Sequence, residues 1–297
     1  MANVIKKFLR MAPKDDGQGG FSPSPLALKL ATKSKTDYDH TVYSDAYKGG
    51  KAKVLMVCTE ERYMTMQNGL KFSTGNHPVE MLVPMLHLEK AGFKIDVCTP
   101  TGAPVKVEMW AMPQKDEAVQ EALQRYQSQF EKPQSLKEIV AGALNDDSDY
   151  VAVFIPGGHG AMLGLPESQD LKTLIKWVVE KDKFMLSICH GPAALLAENV
   201  GGDQQSFAYS GYKMAVFPDS LDKMTPKFGY MPGPMPWYFG DKLRERGVEI
   251  INSKANGACC SDRKLITGDS PDAANEFGKM AAKALLAEVN GAVNVKG

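Results

Sequence analysis

Short apolar runs that each close in a turn, with segments of helical spacing between them, dictate an α/β architecture for this chain. Lys53–Thr59, Phe93–Thr99, Tyr150–Pro156 and Phe184–Cys189 are too short to be helices and have the composition of strands buried on both faces. Between the first two, Val79, Leu82, Val83, Leu86 and Ala91 fall near helical spacing, with Pro78 suited to the first helical position and Gly92 as the stop. Further helices are expected over Ser168–Lys181, Pro192–Glu198 and about Pro271–Val289, and later strands at Lys213–Phe217, Val248–Ile251 and Lys264–Thr267. Such alternation implies a doubly wound, mostly parallel sheet. Its short strand-to-helix loops put the tips after Cys58, Pro156 and Cys189 on one edge, where ligands gather in open α/β sheets.

Two stretches break the alternation. Residues 1–50 are rich in polar residues, Gly and Pro and read as an N-terminal arm; within it Met1–Met11, briefly basic and amphipathic, reads as mobile or lightly docked. Residues 103–148, with helices expected over Asp116–Phe130 and Ser135–Leu144, are long for a simple crossing and read as an insertion. The expected organisation is a core over 51–297, with the arm and the insertion together forming a small second domain.

Charge narrows the function. Lys+Arg and Asp+Glu both number 35, which excludes a general electrostatic grip on nucleic acid. No apolar run is long enough for a membrane-spanning helix, and the N-terminus lacks the pattern of a secretory signal. The 5 cysteines are scattered without a Cys-x-x-Cys pair, so a reducing cytoplasm is expected.

Chemistry concentrates at Phe184-Met-Leu-Ser-Ile-Cys-His-Gly-Pro192, a strand that stops at Cys189, turns through Gly191 and starts a helix. Helix-end N–H groups there would favour the thiolate. The plain alternative is a strand cysteine packed as a small hydrophobe. No histidine follows His190 in the chain, so schemes that place the base downstream of the cysteine cannot be built, and neighbours in a turn need not face each other. Glu80, in the first helical turn after His77-Pro78, is the stronger acid–base candidate, against the alternative of an ordinary N-terminal helix glutamate. Gly157-Gly158-His159-Gly160 offers bare N–H groups for an oxyanion; as a nucleotide loop it lacks the acid expected on the next strand. No strong metal motif occurs: His87 reads as a satisfied helix histidine, and Cys259-Cys260 as core or loop residues. The apolar Gly/Pro loop Met224–Trp237 reads as packed on the core or as an interaction patch.

Taken together, Phe72-Ser-Thr-Gly-Asn-His-Pro-Val-Glu80, Pro156-Gly-Gly-His-Gly-Ala161, Gly164-Leu-Pro-Glu-Ser-Gln-Asp170, Ser187-Ile-Cys-His-Gly-Pro-Ala193, Phe217-Pro-Asp219 with Asp222, and Thr267-Gly-Asp-Ser-Pro271 resemble the HchA subfamily of the PfpI-like superfamily. These are heat-inducible chaperones also described as glyoxalase III and protein deglycase. The resemblance runs from about residue 51 to the C-terminus. It implies a flavodoxin-like core with a small second domain, a homodimer, Cys189 as nucleophile, Glu80 as the carboxyl touching its sulfur, and His190 and Asp222 as triad-like partners. Some members bind zinc near the domain junction; the matching positions here are Glu89, Lys94 and Tyr126, so no metal is expected.

The expected function is a cofactor-independent, glutathione-independent glyoxalase. Cys189 adds to the aldehyde of methylglyoxal, Glu80 moves a proton through an enediol, the N–H groups of Gly157 and Gly158 steady the oxyanion, and water releases lactate. Deglycase action on glycated protein or nucleotide adducts would use the same pair. The alternatives are a holdase that binds unfolding clients and, less favoured, a PfpI-like peptidase.

Overall fold

The computed structural model describes residues 12–145, 148–202 and 207–295. The reading of Met1–Met11 falls outside them. In chain order the elements are β1 (Lys14–Asp15), β2 (Phe21–Ser22), α1 (Pro25–Ala31), β3 (Lys53–Val57), β4 (Tyr63–Thr65), β5 (Lys71–Ser73), α2 (Pro78–Lys90) and β6 (Lys94–Thr99). They continue with α3 (Glu117–Glu131), β7 (Gln134–Ser135), α4 (Leu136–Gly142), β8 (Tyr150–Ile155), α5 (Gln169–Glu180) and β9 (Phe184–Ile188). The chain ends through β10 (Lys213–Met214), α6 (Asp219–Asp222), α7 (Phe239–Glu245), β11 (Glu249–Ile250), β12 (Cys259–Asp262), β13 (Leu265–Gly268) and α8 (Ala274–Val295).

A seven-stranded sheet ordered β12-β13-β9-β8-β3-β6-β7 carries the fold, parallel except for the antiparallel edge pair β12–β13. Alternate residues of β3 feed opposite faces, as a pleated strand requires: Val54 and Met56 pack with α2, α3 and α8, whereas Leu55 and Val57 pack with α4, α5 and α7. Helices on both faces explain why these strands read as continuous apolar runs. From β3 the chain crosses to β6 on one side and then to β8 on the other, so the order reverses at the β3–β8 boundary, and the crevice beyond the strand ends lies there.

Differences from the sequence reading have local causes. The strand expected over Lys213–Phe217 stops at Met214, because the amides of Ala215 and Val216 bond to the side chains of Thr267 (2.9 Å) and Asn252 (3.0 Å) instead of a ladder. The segment after Cys189 is a 3-10 helix, Gly191–Asn199, rather than an α-helix; Gly191 lies against Ile155 O and Ser187 Oγ with no room for a Cβ. The β4–β5 hairpin escapes a hydrophobicity reading because each strand is only 3 residues long and partly polar. It joins β2 and β1 in a separate four-stranded sheet.

The N-terminal arm straps the core. Ser24 caps α1 through the amide of Ala27 (3.1 Å) and donates its own amide to Gly229 O (2.8 Å). Tyr38 and Tyr43 then enter the core beside α2 and α8. Residues 103–148 supply β7 on the sheet edge, α3 against α2 and α4 against α5. His87 is buried and satisfied, bonded to Tyr43 Oη (2.9 Å) and Asn275 Oδ1 (2.8 Å).

Helices α2 and α8 meet at Gly278, where a Cβ would lie 2.6 Å from His87 Cδ2 and 3.0 Å from Pro84 Cα. Gly278→Val is therefore expected to lower stability by about 1–3 kcal/mol through overpacking, read as a lower urea midpoint with an unchanged slope. An unchanged midpoint would refute this close approach.

Candidate active site

Three strand tips and one helix start converge on the crevice. β9 ends in Cys189, a non-glycine residue with φ 61°, held by its amide to Gly268 O (2.7 Å) and its carbonyl from the Phe217 amide (3.0 Å). This left-handed backbone is strained for a residue with a Cβ and persists because the flanking strands over-determine it. β8 runs into Gly157-Gly158, and β3 leads through the β4–β5 hairpin to His77, which precedes α2 and its first-turn Glu80. The carbonyl of Gly157 accepts from the His77 amide (2.9 Å), tying the two turns together.

Gly157 is a steric necessity. A Cβ there would collide with Glu80 Oε2 and lie 2.7 Å from Cys189 Cβ. The Glu80 carboxyl and the Cys189 side chain thus occupy the space a side chain would fill. Gly158 has φ 98° and lies under Gly75 O, so it too must lack a side chain. Gly158 lines the cavity, while Gly157 lies against Glu80 and Cys189.

Electrostatics follow from burial. Glu80 is fully buried, and the loss of water holds its acid well above the usual carboxylate range; Cys189 and the Gly158 amide favour the ionised form without offsetting burial. The Cys189 thiol is likewise pushed well up, first by burial and then by the facing Glu80. The thiolate preference expected from the adjacent helix end is therefore opposed, and burial favours the uncharged forms of both groups.

His190 faces the sulfur after all: its Nδ1 lies 3.2 Å from Sγ, while its Nε2 lies 2.9 Å from Asp222 Oδ2. Asp222 needs a donor, which assigns the proton to Nε2 and leaves Nδ1 free to accept from S–H. Chain order does not reveal this contact, because the left-handed Cys189 turns the next side chain back over its own sulfur. Burial, reinforced by His159 and opposed by Asp222, pulls His190 down to about 4, so its resting form is neutral.

His159 lies inside a glycine turn, where the sequence alone signals no role for it. It bonds the other Asp222 oxygen through Nε2 (3.0 Å), and its ring lies 3.9 Å from that of His190. Asp222 is buried, which opposes ionisation, yet His190 and His159 outweigh this and hold it below the usual range. Burial disfavours the His159 imidazolium, but Asp222 overcomes it and raises its pKa. Phe217 stacks on His190 at 4.7 Å and closes the wall. His159, His190 and Asp222 could also meet around a metal ion among the described residues, but both Nε2 atoms are engaged with the carboxylate. Glu89 is paired with Arg125 (2.8 Å).

Of the residues singled out from the sequence, Cys189, Glu80, His190, Asp222 and Gly158 line a cavity of about 320 Å³, and Gly157 packs against Glu80 and Cys189. Glu108, His77 and Tyr230 also line it and were not anticipated. The only sequence signal for Glu108 was its place in the insertion, two residues before Trp110. The arrangement can add a sulfur to an electrophilic carbon and shuttle protons with a carboxyl that is neutral at rest.

A family model for the DJ-1/PfpI family matches residues 73–284. The chain is 50% identical over 275 residues to a protein/nucleic acid deglycase HchA of Pseudomonas aeruginosa, covering 92% of this chain and 94% of that one. It is 48% identical over 271 residues to the protein of the same name in Escherichia coli O157:H7, covering 91% and 94%. A crystal structure of glyoxalase III from Candida albicans aligns with a TM-score of 0.60 at 23% identity, over 78% of this chain and 98% of that one, a likeness of fold.

Glu80 also costs stability. A carboxyl whose pKa is raised on folding contributes fully below its unfolded value of about 4.3 and loses that contribution as the pH rises above it. Glu80→Gln does not titrate, so it is expected to melt higher than wild type at pH 8, with the gap shrinking towards pH 4. A gap that does not change with pH would contradict a neutral buried Glu80.

Proposed function

The chain belongs to the DJ-1/PfpI family, and on that premise we propose that it is a cofactor-independent glyoxalase and deglycase acting through Cys189. The observation that carries this reading is the buried carboxyl of Glu80 set against Cys189 across Gly157, with the His190 Nδ1 at 3.2 Å from the same sulfur.

The reaction on methylglyoxal is as follows. Cys189 Sγ bonds to the aldehyde carbon while its proton passes to His190 Nδ1, and Asp222 stabilises the imidazolium. Glu80 gives its proton to the aldehyde oxygen, which leaves a hemithioacetal and a carboxylate. That carboxylate now takes the proton from the former aldehyde carbon and returns it to the neighbouring carbon, converting the hemithioacetal into a thioester. Water then loses a proton to Glu80 and attacks the thioester carbonyl. The sulfur leaves with the proton held on His190, lactate departs, and the resting protonation state is restored. Gly158, with its amide beside Glu80, and Gly157 beneath it position the carboxyl and offer N–H groups to the developing oxyanion. On a glycated amine the sulfur would displace the nitrogen and enter the same sequence, consistent with the deglycase names of the relatives.

A second reading rests on a separate observation. Leu30 (71% exposed), Phe228 (49%), Leu221 (40%) and Met224 (37%) ring the cavity mouth with apolar surface. Such a patch suits a holdase for unfolding clients. Of the two readings of the Met224–Trp237 loop, its buried half, Met231 and Met235, packs on the core, and its exposed half supplies this rim. A homodimer in a reducing cytoplasm, with the described cysteines free, completes the proposal.

Lactate formation from methylglyoxal without glutathione tests the chemistry. Cys189→Ala is expected to abolish it and to leave suppression of client aggregation unchanged, while Glu80→Gln loses about 10²–10⁴-fold in kcat. Wild-type turnover by Cys189→Ala would overturn the mechanism.

A further inference from the structure

The isomerisation proposed above leaves one proton without a carrier. Carbon-to-carbon transfer by Glu80 converts the ketone oxygen into a hydroxyl and the former aldehyde hydroxyl into a carbonyl. One oxygen must gain a proton and the other must lose one. Glu80 is occupied with carbon in that step, and His190 holds the sulfur's proton. A second acid that faces the substrate is required.

Glu108 answers that description. It is 1% exposed and lines the same cavity as Cys189 and Glu80. Its carboxyl Oε1 accepts from Thr74 Oγ1 at 2.7 Å and the backbone amides of Gly75 and His159 face the group, whereas Oε2 is buried with no partner at hydrogen-bond distance. Its backbone is fixed by its amide to Asn76 O (2.9 Å), within the isolated bridge that joins Asn76 to Val107. The position is thus held by the loop that leads into α2 and Glu80. Buried carboxyl oxygens are rarely left unpaired, and one that borders a reaction cavity is satisfied when a ligand supplies the missing partner. His77 Nδ1, also buried and unpaired, borders the same space and can share that ligand oxygen.

We propose that Glu108 is the second proton carrier of the reaction, donating from Oε2 to the ketone oxygen of the Cys189-bound substrate and taking the proton of the neighbouring hydroxyl. This inference rests on the glyoxalase reading above. The protons balance. As Glu80 removes the carbon-bound proton, Glu108 protonates the ketone oxygen, giving an enediol. As Glu80 returns its proton to the second carbon, Glu108 recovers one from the first oxygen, giving the thioester. Both carboxyls end as they began, and no outside oxidant or base is used. Burial supports the assignment by raising the Glu108 acid to about 7, against the opposing influence of His159 and Thr74, so a protonated fraction is present near neutrality. The substrate class follows: a compound with a carbonyl adjacent to the attacked aldehyde uses both carboxyls, and a simple aldehyde can only add to sulfur.

Glu108→Gln, which keeps the shape and the Thr74 contact, tests this in the full-length protein. Methylglyoxal turnover is expected to fall by on the order of 100-fold in kcat with KM changed little. The rate of Cys189 alkylation by iodoacetamide should stay within about twofold of wild type, because the nucleophile and its partners are intact. Intact-protein mass spectrometry should then find the Cys189 adduct of one methylglyoxal accumulating. Wild-type turnover by Glu108→Gln would overturn the assignment. So would a loss of turnover accompanied by an equal loss of alkylation and no adduct, which marks a structural role. Cys189→Ala runs alongside: if it still makes lactate, the underlying glyoxalase reading fails, whereas an inactive Cys189→Ala with a fully active Glu108→Gln removes only the role given to Glu108.

Discussion

The meeting of Glu80 and Cys189 over the bare backbone of Gly157 is the constraint to which the other features of the site answer. A neutral carboxyl beside a sulfur needs a dry pocket, and dryness needs walls that add no competing charge. The fold supplies them at the point where strand order reverses, with three strand tips and a helix start closing on one another. Residues without side chains make room at the centre, and rings of Phe217, His190 and His159 close one wall. The left-handed turn at Cys189 is held on both sides, by its amide to Gly268 O of β13 and by the Phe217 amide to its carbonyl, so its strain is borne by the surrounding backbone.

Charge is arranged in two tiers. Asp222 is the ionised group, and it is balanced by two histidines that bond one oxygen each. Glu80 and Glu108 are carboxyls of the other kind, kept towards neutrality by burial. Environments that drive chemically similar groups apart in this way match the proposed division of work, in which Asp222 orients and stabilises while Glu80 and Glu108 exchange protons. Stability is lost in the arrangement, as expected where a site is built for chemistry rather than for folding.

Much of this was legible in the residues. The strand runs at Lys53, Phe93, Tyr150 and Phe184 and the helix opened by Pro78 declared the sheet and its edge, because apolar runs this short and closed by turns fit a strand buried on both faces and not a helix. Cys189 and Glu80 were visible as candidates near the same edge, each with a structural alternative that only the family resemblance weighed against. The residues that escaped did so because their partners are distant in sequence. Asp222 emerged only from family resemblance, being 32 residues beyond His190. Glu108 reaches the cavity from an insertion whose sequence shows only polar helices and a Trp-Ala-Met-Pro turn. His190 was legible as a residue but not in its direction, since the positive φ at Cys189 that aims it is a property of packing and not of local preference.

The most direct test of a carboxyl-assisted cysteine mechanism is rapid acid quenching during methylglyoxal turnover, followed by mass mapping of the peptide that carries Cys189. The account requires a substrate-derived mass on Cys189 that forms and decays at least as fast as lactate appears. Full-rate lactate production with Cys189 unmodified at every quench time would contradict it.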